Sequence, residues 1–158
     1  MNILVDLREK KPWDFRIIRE IHPEAEFTVE RSVLRTGDYS LRGMEESCAI
    51  ERKSIKDFIN TLSQNQYRFY AELSRMNAMT TAVIVVESPL ETFTKGRKSI
   101  HDILRMSGDE NHFMQKMMTI KIAFPRIEWF FAENKAQAEY YTFRRLAAAL
   151  ATDHGHLS

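Results

Sequence analysis

The stretch Thr81–Glu87, TAVIVVE, limits the fold more than any other part of the 158-residue chain. Val83, Ile84, Val85 and Val86 are β-branched and follow one another without polar alternation, the pattern of a strand covered on both faces. A strand hidden from water on both sides needs a layer of helix above the sheet and another below it. The flanking sequence supplies those layers. SIKDFINTLSQ and QYRFYAELSRMNAM precede the strand with helical periodicity, Ile55, Phe58, Ile59 and Leu62 sharing one face. Helices over 99–106 and 111–124 and in KAQAEYYTFRRLAAAL follow it.

Strands dominate the first third. In NILVDL, Ile3, Val5 and Leu7 face one way and Leu4 and Asp6 the other. Residues 14–21, DFRIIREI, read as a helix with Pro12 in its first turn. EFTVERSVL (26–34) alternates as a strand, TGDYSLRG is a turn entering a short strand, and CAIERK is the next strand. RIEWFFA (126–132) is the last. Strands first, then strands alternating with helices, predict an α/β fold with a central mixed sheet and helices on both faces.

No repeat, low-complexity tract or linker divides the chain, so one domain is expected over residues 1–151, with a frayed, disordered tail over 152–158. The basic residues of MNILVDLREKK follow its apolar run, the reverse of a signal peptide, and no apolar run reaches membrane-spanning length. A lone cysteine, Cys48, excludes an internal disulfide and fits a reducing interior: cytoplasm or nucleoid, or the nucleus of a eukaryote. The net charge of +1 does not announce a nucleic-acid binder. The bases nevertheless cluster at Arg8, Lys10 and Lys11, at Arg52, Lys53 and Lys56, and at Lys95, Arg97 and Lys98, and only a contact face must be positive.

The segment CAIERKSIKDF concentrates the chemistry. Glu51 and Lys53 project from one face of their strand and Arg52 from the other. They form either a solvated ion pair or a site in which Glu51 holds a divalent cation while Lys53 orients water or stabilises charge on a phosphate. A hard cation needs a second carboxylate. Asp38, in TGDYS, would reach the same sheet end if its strand pairs with CAIERK through a hairpin around Gly43; turn chemistry is its other reading. Asp57 closes a capping box begun by Ser54, a structural role compatible with a place in the site. Asp6 and Arg8 are either a strand-end ion pair or an extra metal contact and a phosphate clamp.

Other features carry less. TKGRKS lacks phosphate-loop spacing and reads as a surface or DNA-contacting loop. Met106, Met114, Met117 and Met118 have the spacing of core filler or a greasy interface. His154 and His156 lack further ligands, and Trp13 and Trp129 read as packing residues, with base stacking a lesser role for Trp13.

In order and spacing, VDLRE, TGDYSL, AIERKSIKDF, QYRFYAEL and VIVVE resemble the XPF-type nuclease domain, that of the xeroderma pigmentosum group F endonuclease and archaeal relatives such as Hef. The family signature, Gly-Asp and then Glu-Arg-Lys-x-x-x-Asp, falls on Gly37-Asp38, Glu51-Arg52-Lys53 and Asp57, and FPRIEWFFAENKAQAEYY is similar to the family's last strand and helix. The resemblance implies a restriction-endonuclease-like fold and Mg²⁺- or Mn²⁺-dependent cutting of DNA near flaps, splayed arms or junctions, in repair or recombination. It places the catalytic set on Asp6, Asp38, Glu51, Arg52, Lys53 and Asp57, with Asp38, Glu51 and Asp6 toward metal. DNA contacts would come from Arg8, Lys10, Lys56 and Arg68; Glu9 falls on the family's first-strand stretch, and Arg68 and Glu87 on supporting positions. The alternatives are a non-catalytic DNA-binding or dimerisation module of the same fold and a junction-resolving nuclease with another substrate.

Family members usually continue into paired helix-hairpin-helix motifs, and many carry a helicase; neither is expected here. Weak, salt-dependent DNA affinity follows, met by a homodimer or by a partner supplying substrate binding. The apolar and small residues of YYTFRRLAAAL could form the dimer face or simply core.

Overall fold

The computed structural model describes residues 1–63, 66–89 and 110–155. Six strands form one sheet: β1 (Asn2–Asp6), β2 (Thr28–Ser32), β3 (Tyr39–Leu41), β4 (Cys48–Lys53), β5 (Thr81–Val86) and β6 (Glu128–Phe131). Their spatial order is β2-β1-β3-β4-β5-β6. β3 runs antiparallel to both neighbours, and the pairs β1–β2, β4–β5 and β5–β6 are parallel. β1, β4 and β5 therefore end at the same edge of the sheet, where open α/β sheets place ligands.

Alternation along these strands builds two cores. Ile3, Val5, Tyr39, Leu41, Cys48, Ile50, Val83 and Val85 pack on one face against α1 (Arg16–Ile21) and against Ala138, Phe143, Leu146 and Ala149 of the last helix. Ala49, Ala82, Ile84 and Val86 pack on the other, under Phe58 of α2 (Ile55–Ser63), Phe69, Leu73 and Met76 of α3 (Gln66–Asn77), and Met117 and Ile120 of α4 (Glu110–Ala123). Every residue from Ala82 to Val86 is buried, as a strand between two helical layers requires. Among the described residues no helix is long and apolar enough to cross a membrane.

Two boundaries differ from the sequence reading. The first helix begins at Arg16, so Pro12, Trp13 and Asp14 belong to the connection from β1. Phe15 adopts a left-handed conformation (φ 55°), which a bulky residue takes only when its surroundings demand it. Here its ring is fully buried, 5.9 Å from that of Tyr39 and 6.1 Å from that of Phe143. The last helix, α5 (Lys135–Gly155), runs past residue 151, where the domain was expected to end. The Thr152 hydroxyl donates to the Ala148 carbonyl at 3.0 Å, one turn back.

Within YYTFRRLAAAL, Thr142, Phe143, Leu146 and Ala149 are buried in the core. Met117 is buried, whereas Met118 and Ile122 on the outer side of α4 are 56% and 76% exposed. The expected helix over 99–106, the TKGRKS loop, Met106, His156 and the side chains of Met114 and His154 lie outside the described residues.

Candidate active site

Asp38 sits where three strands meet. Its N–H donates to the Ile50 carbonyl at 2.9 Å, and its own carbonyl accepts from the Asp6 N–H at 2.8 Å. Tyr39 pairs with Ile50 across the β3–β4 hairpin, a register that sets Asp38 opposite Glu51. Gly37 makes this approach possible. Its φ is +77°, and a Cβ there would stand 3.1 Å from both the Ala49 Cβ and the Ile50 carbonyl oxygen. Helix α3 holds the same turn from above: Arg75 Nε donates to Thr36 Oγ1 at 3.0 Å, and the Gly37 N–H points to Glu72 Oε1 at 3.5 Å.

Asp6, Asp38, Glu51 and Lys53 share one sheet face by strand register. They line a cleft of about 780 Å³ whose walls also include Arg8, Lys10, Asp57 and Glu72. Glu51 is 6% exposed and accepts from Lys53 Nζ at 2.6 Å. Asp38 Oδ2 accepts from the Arg52 N–H at 2.9 Å.

Burial, then the charge of Asp38, raises Glu51 well above the ordinary carboxylate range, despite Lys53. Burial also lifts Asp38 to about 6, the Arg52 N–H opposing it and Glu9 and Glu72 adding repulsion. Burial favours neutral Lys53, but Glu51, Glu72 and Asp38 outweigh it and hold the ammonium charged. Two carboxylates are thus held together at an electrostatic cost that a cation between them would relieve. Among the described residues no group of three or more His, Cys, Asp or Glu could hold a metal ion. Asp38 and Glu51 are nonetheless hard oxygen donors of the kind that could hold a divalent cation such as Mg²⁺ or Mn²⁺.

Asp6 lines the cleft, but its oxygens are already engaged. They accept from Arg8 Nε (2.7 Å), Arg8 Nη2 (3.3 Å), the Arg8 N–H (2.8 Å) and the Leu34 N–H (2.7 Å). Burial alone would raise its pKa; these bonds overcome it and keep the carboxyl below its ordinary value. Arg8 Nη2 also reaches the Leu34 carbonyl at 2.7 Å. Ser54 caps α2: its hydroxyl accepts from the Asp57 N–H at 3.2 Å and donates to Asp57 Oδ2 at 2.6 Å. The N-terminus of α2 opens onto the cleft immediately after Lys53. Lys56 and Arg68 are exposed on α2 and α3 outside the cleft wall.

Arg52 leaves the opposite face. Its Nε donates to Glu87 at 2.8 Å, Glu9 lies 3.8 Å away, and its guanidinium rests 4.6 Å from the Trp13 ring centre. Trp13 is itself 5.0 Å from Tyr39 in a stacked pair, so Arg52 ties the end of β4 to the other core. Replacing Arg52 by Ala should cost about 3–5 kcal/mol, because Glu87 would be left buried and unpaired. A thermal-denaturation cycle with Glu87→Ala checks this, with the double variant losing much less than the sum of the two singles.

Sequence reasoning missed Glu72 and Lys135, which also line the cleft. Glu72 was detectable. Buried Phe69, Leu73 and Met76 place it at the border of the apolar stripe of α3, an unusual place for a carboxylate. Lys135 is the first residue of α5 and reaches the cleft only through the tertiary fold, which no local pattern reveals.

Sheet order, helical layers and the cleft at the strand ends together make a restriction-endonuclease-like α/β fold. Residues 5–144 match the model of the ERCC4 domain, and the chain belongs to that family, one of structure-specific DNA nucleases. It is similar in structure to XPF from Aeropyrum pernix, with a TM-score of 0.65 and 20% identity over 95% of this chain and 65% of that one. XPF from Aeropyrum pernix in complex with DNA gives a TM-score of 0.65 and 21% identity over 96% of this chain and 66% of that one. The chain thus spans about two thirds of the length of these structures, and at such identity the likeness concerns the fold. No curated protein matches it in sequence.

Proposed function

We propose that the chain is a metal-dependent, structure-selective DNA endonuclease, acting near flaps, splayed arms or junctions in repair or recombination. The observation that carries this reading is the juxtaposition of two mutually repelling carboxylates, Asp38 and Glu51, with a charged Lys53 on one sheet face inside an open cleft. Asp38 and Glu51 would hold Mg²⁺ or Mn²⁺, which supplies a Lewis acid for the scissile phosphate and lowers the pKa of a bound water. Lys53 would orient an attacking water or stabilise charge building on the phosphate. Asp6 acts through Arg8, fixing a phosphate clamp at the cleft rim, and Asp57 orders the helix that begins there. Arg52 braces the strand end from behind. Productive binding of DNA would involve a homodimer or a partner that adds contact surface.

End-labelled splayed-arm, 3′-flap and plain duplex DNA, each incubated in Mg²⁺, Mn²⁺ or chelator, test the proposal. Metal-dependent cuts near the branch, absent in chelator and weak on the duplex, are expected. Tight DNA binding without cutting in either metal would instead identify a non-catalytic module, and preferential cutting of a four-way junction a junction-resolving enzyme.

A further inference from the structure

The opposite sheet face carries a second concavity, a groove of about 490 Å³ between β2 and the start of α1. Val29 contributes to its apolar floor, and Arg16, Arg19 and Arg31 stand in its walls against a single acid, Asp14. Two of these charges are not neutralised. Arg31 donates to the Leu7 and Glu9 carbonyls at 2.9 and 2.8 Å, neutral acceptors that leave the guanidinium its full charge. Arg19 lies over the Phe27 ring, 4.2 Å from its centre. Among the described residues neither has a carboxylate within ion-pair distance. Arg16 pairs with Asp14 at 3.4 Å, but both are largely exposed, and such pairs exchange readily for a stronger anion.

The groove and the catalytic cleft are lined by consecutive stretches of one connection. The connection from β1 to α1 presents Arg8, Lys10 and Lys11 to the cleft, then Trp13, Asp14 and Arg16 to the groove. Arg31 fastens this connection from the groove side through its bonds to Leu7 and Glu9. A polyanion leaving the cleft across Lys10 and Lys11 would next meet the three arginines. Arginine suits that encounter, since its planar fork binds phosphate oxygens with defined geometry.

We propose that this groove takes the sugar-phosphate backbone of the DNA arm that leaves the cleft, with Arg19 and Arg31 as phosphate contacts and Arg16 a third once released from Asp14. The inference rests on the nuclease reading of the cleft and adds to it a second contact surface, which would favour substrates with an arm on each side of the cut.

Binding without cutting separates the two. In chelator, fluorescence anisotropy measures affinity for a splayed-arm DNA over a range of salt, for wild type and for Arg16→Gln/Arg19→Gln. Both side chains are exposed, so the variant should fold, as circular dichroism checks. The expected result is an affinity loss of about 5–20-fold and a salt slope shallower by about 1–2, one phosphate contact per arginine. The loss should vanish when the arm is trimmed back to the branch. Arg19→Lys should recover most of the affinity of Arg19→Gln. Unchanged affinity and slope in the folded variant would overturn the proposal, as would a loss that ignores arm length. If the arm-dependent loss appears but wild type never cuts in Mg²⁺ or Mn²⁺, the groove stands and the nuclease reading falls.

Discussion

Replacing Lys53 by Met is expected to reduce the single-turnover rate of metal-dependent cleavage by about 10²–10³-fold, the range for losing one preorganised donor at a developing oxyanion. The ammonium is held 2.6 Å from Glu51, at 15% exposure, on the face that carries Asp38. That arrangement fixes its position before substrate arrives, so no reorganisation is needed as charge develops on the phosphate. The substitution also removes a partner from a buried carboxylate, and a stability loss of about 1–3 kcal/mol should accompany it. The rate must therefore be measured below the variant's melting temperature, with DNA binding in chelator as a control for folding. Lys53→Arg keeps the charge but not its point geometry and should recover only part of the activity. A rate within threefold of wild type for Lys53→Met would remove Lys53 from the chemistry.

Asp38→Asn should abolish cleavage and, without metal, make the protein more stable. Asp38 titrates near 6 in the folded chain instead of near 3.8, so the folded state binds its proton more tightly than the unfolded state does. The stability associated with this proton is fully present below the unfolded value and is lost as pH rises through about 6. At pH 7–8 the ionised carboxylate therefore costs about 2–3 kcal/mol, which Asn, still able to accept from the Arg52 N–H, does not incur. Asp6 works in the opposite sense: its contribution, present at neutral pH, is lost only as pH falls below the ordinary carboxylate range. Comparing Asp38→Asn with wild type at each pH isolates the Asp38 share. Thermal melts in chelator at pH 5 and pH 8 should show the gap between the two proteins opening at the higher pH. Added Mg²⁺ should raise the wild-type melting temperature and leave that of the variant nearly unchanged. A variant less stable than wild type at pH 8 would mean that Asp38 is not under electrostatic strain.

The elements that arise from strong local patterns were legible in the sequence. The unbroken run Ala82–Val86 announces a doubly covered strand, and two-residue alternation separates Glu51 and Lys53 from Arg52 without any tertiary information. The Asp38–Glu51 approach was legible as well, because Gly37, Gly43 and two short apolar strands specify a hairpin. What escaped depends on contacts distant in sequence. Phe15 begins its helix in a left-handed conformation because Tyr39, Phe27 and Phe143 enclose its ring, a demand no neighbouring residue encodes. The engagement of Asp6 turns on the Leu34 N–H, brought beside it by the β1–β2 pairing. The groove under α1 was invisible for the same reason, its arginines lying on a helix and a strand separated by a turn.

The most direct test of the account is the pH dependence of single-turnover cleavage of a splayed-arm DNA, for wild type beside Asp38→Asn at fixed Mg²⁺. The wild-type rate should rise as pH increases through about 6 and then level, because the metal competes with protons for Asp38 and Glu51. More Mg²⁺ should move the rising limb to lower pH, and the variant should show no measurable cutting at any pH. Cleavage that survives Asp38→Asn, or a wild-type profile flat between pH 5 and 8, would contradict the assignment of the two carboxylates as the metal-holding centre of the enzyme.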